Sequence, residues 1–580
     1  MPDSSLSRLA FGSEVVYSLL MIPQVVPRMG NMAYCNHPLG PVPDCTERLA
    51  KVLLRGQARR RFIILAEQLT ELFSEFESQL EASYPDAGQW GIHPFRVIGL
   101  LLLQAMEGLS DRQATEMVVL NVGWKLVLRL PMDHEGWNDS ILSKARDRFL
   151  ETQVLMELFD AFLASAKDKG YLNVIKQRVD ATHIEACVRS LNRVELVLET
   201  VRNAIEALTE EDVNFVRSIR RENWLKRYYL DRPFNYRLPK SDSERTKMAE
   251  AAGDDGFHIL KSIEQAPKDK RNAFENLQAI ETLRKVLEEQ FSSEDRGKPK
   301  FKESKELKPS GIRIASPYEP EARNACKGET NWTGYKAHLT ETCVKGFPNL
   351  ITQVETTVGT ENDSETLPKI TESLSLRNLK PEKLFTDSGY VNVDLLSRLK
   401  SELGIDVMAR LANGHSWQSQ QGKGFDQSSF SINWSKRQVT CPAQATSVQW
   451  KNTNDGGSNV HFAKEQCSSC PFKTDCTKGE YRVLHLKSES VWRHMQAMKE
   501  RQQTQEFRDE CKIRAGVEGT QSEFAKVVGR QSTVRGLAKV HQKNVLAAIA
   551  MNFKRMTDWM NGKGHNETRV GKYQTAMAAA

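Results

Sequence analysis

The sequence predicts an α/β protein, a mixed sheet with helices that is preceded by an all-helical region and interrupted by insertions. Three observations carry this. Residues 46–170 place apolar side chains at helical spacing. Near residue 172 the period shortens to that of strands, and two antiparallel strand patterns lead into a strand, a helix and a strand. A polar, cysteine-bearing stretch at 412–480 then separates this block from a last helical tract.

In the first region the helical stretches lie around 62–80, 94–106, 111–120 and 141–164. Gly108 ends one of them, and Ser110 with Gln113 three residues on has capping-box spacing. Asn138, Asp139 and Ser140 offer caps for the last. That short helix carries Lys144, Arg146 and Arg148, which suits either a recognition helix in a major groove or a solvated face of a plain bundle. The stretch 174–188 is β-branched and apolar, with Asp180, Thr182 and Ile184 on one side by alternation. Residues 190–310 return to charged, helical sequence, ending in a Lys-rich, Pro-punctuated insertion or linker at 296–309. Strands are expected at 334–342 and 350–358, then a helix capped near Asp363 or Ser364. A short strand at 383–386 ends on Asp387, a helix at 393–403 is stopped by Gly404, and a strand follows at 405–411. The final helix places Val545, Ile549, Phe553, Met556 and Met560 along one face.

Over 580 residues, 39% are apolar and 27% charged, the composition of a folded chain of several domains. The longest apolar run, 97–106, is about half of the roughly 20 residues that span a bilayer. The apolar stretch 15–22 follows Glu14 and stops at Pro23 without the marks of a secretion signal, so cytoplasmic residence is expected. The net charge of +7 is modest, yet 481–560 alone holds 15 Lys and Arg against 8 Asp and Glu, an excess equal to that of the whole chain.

No phosphate-cradling Gly-Lys loop, Gly-x-Ser-x-Gly elbow or His-Glu-x-x-His helix is present in the sequence. What remains for chemistry is carboxylates at strand ends. Asp180 and Asp387 converge on a cation if their strands are neighbours, and Mg²⁺ or Mn²⁺ takes such oxygen ligands. Glu518 shares a helix face with Arg514 at i, i+4. Gly516 and Gly519 beside it point to a close approach of backbone or ligand. Cys467, Cys470 and Cys476 form Cys-x2-Cys-x5-Cys, and with Cys441 they make a structural Zn²⁺ site plausible, against free thiols or a redox pair. His183 alternates to the face opposite Asp180 and reads as structural. Tyr390 either closes the turn after Asp387 or stacks on a base or sugar.

Taken together, "RVDATHIEA" (178–186), "SPYEPEARNACKGETNWTGYKAHL" (316–339), "LITQVETTVGTENDSETLP" (350–368), "LFTDSGY" (384–390) and "RAGVEGTQSEFAKVVGRQSTVRGLAKVHQKNVLAAIAMNFKRM" (514–556) resemble bacterial insertion-sequence transposases of the DDE type. "HPFRVIGLLLLQAMEGLSDRQATEMV" (93–118) and "NDSILSKARDRF" (138–149) are similar to that family's amino-terminal DNA-binding region. The resemblance implies a ribonuclease H-like core in which Asp180, Asp387 and Glu518 hold two divalent metals, with a cysteine-containing insertion before the Glu, as in one branch of the family. Arg514 and Glu518 match the family's Tyr, Arg, Glu, Lys pattern. Cys511 stands at its Tyr position and Ala525, beside Lys526, at its basic one.

The expected organisation is an extension (1–45), a helical DNA-binding domain (46–170), the first part of the core (171–411, with an insertion at 190–310), the cysteine insertion (412–480), the second part of the core (481–560) and a tail (561–580). The expected activity is metal-dependent cleavage and strand transfer at the ends of an insertion sequence, on double-stranded DNA in the nucleoid, by a homodimer assembled on that DNA. Arg514, Arg530, Arg535, Lys539 and Lys543 would face the phosphates, the last three near one helix face. The alternatives are a catalytically impaired DNA-binding remnant or regulator, suggested by Cys511 and Ala525, and a nuclease that cuts without joining.

Overall fold

The computed structural model describes residues 32–33, 39–82, 89–152, 154–230, 238–293, 299–411, 416–454 and 456–563. The apolar stretch 15–22, most of the 1–45 extension and the tail beyond 563 lie outside them. Among the described residues no helix is long and apolar enough to cross a membrane.

The amino-terminal region contains α1 (Gln57–Ala82), α2 (Pro94–Glu107), α3 (Asp111–Leu120), α4 (Ser140–Thr152) and α5 (Val154–Asp168). Local chemistry sets the joints. Gly108 ends α2 in the left-handed conformation, and Ser110 with Gln113 forms the expected capping box. The long stretch 141–164 is two helices rather than one.

Next comes β1 (Lys176–Glu185), then an insertion with α6 (Arg193–Glu211), α7 (Asp242–Glu264) and α8 (Gln278–Gln290) around its own apolar cluster. The described part of the Lys-rich stretch is held to this insertion: Phe291–Ser293 pairs with Pro299–Phe301, and the Lys302 amide donates to the Gln290 carbonyl. The core resumes with β2 (Arg323–Lys327), β3 (Thr330–Thr342), β4 (Ile351–Val358), α9 (Asp363–Leu376), β5 (Lys383–Phe385), α10 (Val393–Leu403) and β6 (Asp406–Met408).

The sheet order is β6-β5-β1-β3-β2, with β4 also paired to β3. β1 runs antiparallel to β3 and parallel to β5, so the two strands that carry Asp180 and lead to Asp387 are neighbours. This is the mixed sheet of a ribonuclease H-like fold, as predicted. The cysteine-containing insertion builds a three-stranded antiparallel sheet from β7 (Gln449–Asn452), β8 (Ser458–His461) and β9 (Val483–Leu486) over a small apolar cluster of its own.

The chain then returns to the core through α11 (Gly516–Val528) and α12 (Leu537–Met560). Buried residues occupy every side of α12 from Asn544 to Phe553, the pattern of a helix enclosed on all sides. It joins the sheet to the amino-terminal helices in one apolar core. Asn552 bonds both the amide and the carbonyl of Ile351 on β4, and Phe553 packs on Phe162 of α5 with ring centroids 4.7 Å apart. Val545, Ile549, Phe553 and Met556 are buried as the periodicity predicts, whereas Met560, in the last turn, is 45% exposed.

Candidate active site

Asp180 sits in the middle of β1 and is 8% exposed. Its Oδ1 accepts from the Ala181 amide at 2.8 Å, and Arg514 Nη1 approaches its Oδ2 at 3.3 Å. Burial raises the Asp180 pKa above the ordinary aspartate value, and the negative charge of Asp387 raises it further, against the Ala181 amide, Arg514 and Lys327.

Asp387 follows β5 and caps the single turn Ser388–Tyr390, its Oδ1 accepting from the Gly389 amide at 2.9 Å. A Cβ at Gly389 would stand 3.1 Å from Asp387 Oδ1 and 3.2 Å from Asp363 Oδ2, so two carboxylates converge over this glycine. The sequence offers Asp363, in the first turn of α9, only as a helix cap; Asn362 takes the N-cap position instead, and Asp363 binds Lys336 Nζ at 2.9 Å. Nothing in the spacing distinguishes it from an ordinary first-turn acid. The Tyr390 hydroxyl, wholly buried, meets His338 Nδ1 at 2.6 Å. Burial lowers the His338 pKa to about 4 and leaves the imidazole neutral. Tyr390 therefore closes the turn and is not available to stack on a base.

Glu518 lies in the first turn of α11 with its side chain 69% exposed. Its Oε1 is 3.9 Å from Arg514 Nη2, so the shared face predicted for this pair is present, with Arg514 in the 3-10 turn that leads into the helix. One guanidinium thus spans Asp180 and Glu518. Gly516 marks the close approach expected of it: a Cβ there would overlap the Arg178 guanidinium, a side chain rather than backbone or ligand. Gly519 has open space around it. His183 packs against Trp332, with ring centroids 5.2 Å apart. Cys511, at the family's Tyr position, packs with Phe385, Met408 and Phe507.

Among the described residues, no three His, Cys, Asp or Glu side chains stand in metal-holding geometry. The donor chemistry at Asp180, Asp387 and Asp363 nevertheless suits a hard cation. Glu518 is turned to Arg514 instead. Cys441, Cys467 and Cys476 pack against one apolar cluster, and the Cys476 thiol pKa is raised by burial and further by Cys467, Cys441 and Cys470, so the four thiols are neighbours.

The basic candidates divide into two groups. Lys144, Arg530 and Arg535 are exposed, and the Arg530 and Arg535 side chains have no hydrogen-bond or ion-pair partner among the described residues. Arg535 precedes α12, so it does not share a helix face with Lys539 and Lys543. Arg146 forms an ion pair with Asp111, and Lys539 pairs with Asp147 at 2.7 Å. Lys543 Nζ donates to the Val528 carbonyl at 2.7 Å and to Thr533 Oγ1 at 3.0 Å. Arg148 is only half-buried on α4.

The fold and this line of acids define a protein of the ribonuclease H-like class with carboxylates gathered at neighbouring strands. Residues 440–557 match the model of a transposase DDE domain, and residues 53–148 match that of a transposase domain (DUF772). Together the two matches make the chain similar to insertion-sequence DDE transposases and support a transposase function in general terms. No curated protein and no solved structure matches the chain.

Proposed function

We propose that the protein cleaves DNA at the ends of an insertion sequence and joins the freed ends to a target, with Asp180, Asp387 and Glu518 as its catalytic carboxylates. The observation that carries the reading is the convergence of Asp180 and Asp387, 207 positions apart in the sequence, with Arg514 linking Asp180 to the helix of Glu518. Mg²⁺ or Mn²⁺, when bound, would activate the attacking oxygen and stabilise the leaving one.

The chain's own residues do the rest. Asp180 and Asp387 hold the negative charge that receives the cation. Glu518, exposed on α11, closes the set once Arg514 releases it. Arg514, Arg530 and Arg535 bind the phosphates on the open side, and Lys144 extends that basic surface along α4. Cys441, Cys467, Cys470 and Cys476 would hold one structural zinc that braces the insertion, which metal analysis of the purified chain reads directly. A homodimer on DNA in the cytoplasm completes the reading.

A pre-cut end bearing a 3′-hydroxyl, incubated with Mg²⁺ and a supercoiled target, separates joining from cutting. Joined product is the expected result. Cleaved target without joined product favours the nuclease, and end binding with neither product favours the impaired remnant.

A further inference from the structure

A second polar cluster lies just behind the acids. Glu341, on β3, has no solvent exposure, and it stands opposite Arg178 in the β1–β3 register. Its Oε1 accepts from Arg178 Nε at 2.7 Å, and its Oε2 accepts from both Thr520 Oγ1 and Arg555 Nη1 at 2.7 Å. Arg178 Nη1 donates onward to the Ile513 carbonyl at 2.7 Å. Arg555, on α12, donates from Nη2 to Thr520 Oγ1 at 2.8 Å and to Glu523 Oε2 at 3.0 Å.

Three of these partners lie on the segment that carries Glu518. Ile513 precedes Arg514, and Thr520 and Glu523 follow Glu518, so the segment is tied on both sides of the acid to one buried carboxylate. Arg178 is two residues from Asp180 and so on the same face of β1. Gly516 is where the guanidinium of Arg178 passes. A charge this deeply buried is retained only when it is fully paired, and its partners then have little freedom to move.

We infer that Glu341, with Arg178 and Arg555, is a positioning network that fixes the register of the Glu518 helix against the strand of Asp180. The inference rests on the proposed roles of Asp180 and Glu518. These residues do not touch the reacting atoms; they set how far apart the two acids stand. A shift of about 1 Å between reacting groups costs on the order of 100-fold in rate.

The experiment uses the full chain with Fe²⁺ in place of Mg²⁺, plus ascorbate and peroxide, so that radicals cut the backbone beside the bound metal. Native protein should be cut near Asp180 and near Glu518. In Glu341→Gln the cut near Glu518 should fade while that near Asp180 persists. In Mg²⁺, cleavage at saturating DNA should fall by on the order of 100-fold with end binding unchanged. Thr520→Val, which deletes only the hydroxyl, should move both readouts the same way by a smaller amount and guards against a Glu341 variant that does not fold. An unchanged cutting pattern and rate in both variants would overturn the positioning network and leave the carboxylate assignment standing. Absence of cutting near Asp180 in the native protein would overturn both.

Discussion

Arg514 Nη1 lies 3.3 Å from Asp180 Oδ2, across 334 residues of chain, and the same guanidinium reaches Glu518 Oε1 with its other nitrogen at 3.9 Å. A positive group therefore stands between two acids that the family pattern assigns to a cation. In the proposed site, metal and guanidinium would compete for Asp180. Removing the charge in Arg514→Gln should let Mg²⁺ raise the melting temperature at a severalfold lower concentration, because one repulsive term disappears. Thermal melts across a Mg²⁺ series measure this, and an unchanged or higher requirement would mean that Arg514 helps to build the site.

The two glycines flanking Glu518 should respond in opposite directions. Gly516→Ala forces the Arg178 guanidinium aside and breaks its bond to Ile513, for a loss of about 1–3 kcal/mol. Gly519→Ala meets open space in a helix, where alanine is favoured by about 0.5–1 kcal/mol. Denaturant unfolding of both variants gives the signs.

Much of this arrangement was legible in the residues and some was not. The caps at Ser110 and Gly404 and the strand alternation around Asp180 are local signals, and they place the elements correctly. The neighbouring strands of Asp180 and Asp387 follow from topology, which the family resemblance supplied. Basic side chains were harder to read, because charge on a periodic face says nothing of what stands opposite. Arg146 and Lys539 meet acids from α3 and α4, contacts made only once the helices pack. Asp363 and Glu341 were silent for the same reason: an acid in a first turn and an acid in a strand look ordinary until β3 and α11 close around them.

Stability should carry the mark of Glu355 on β4, whose carboxyl is pushed up to about 7 by burial. An acid with a raised folded-state pKa favours the native state fully below its ordinary value of 4.5, and that advantage is lost as pH rises through 7. Glu355→Gln removes this loss. Its stability relative to native protein should climb between pH 4.5 and 7 by about 3 kcal/mol and then level off. Unfolding of both proteins over that range tests the slope, and a flat difference would contradict it.

DNA binding should distinguish the exposed cation on α4 from the paired one. Lys144→Ala should lower the slope of log affinity against log salt by about 0.9, the value for one lost phosphate contact. Arg146→Ala should leave that slope alone and instead destabilise the fold, since its guanidinium holds Asp111, which also accepts from Gln104 at 2.7 Å. Binding isotherms at several salt concentrations, with melts of the same variants, read both effects.

In the proposed reading the acids act in catalysis while separate basic residues hold the DNA. Asp387→Asn tests it most directly, because the amide keeps the bond from Gly389 to its side-chain oxygen while removing the charge. On a duplex carrying the element's end, with Mg²⁺, strand cleavage should disappear and end binding should stay within about twofold of native. Cleavage at the native rate by Asp387→Asn would contradict this reading.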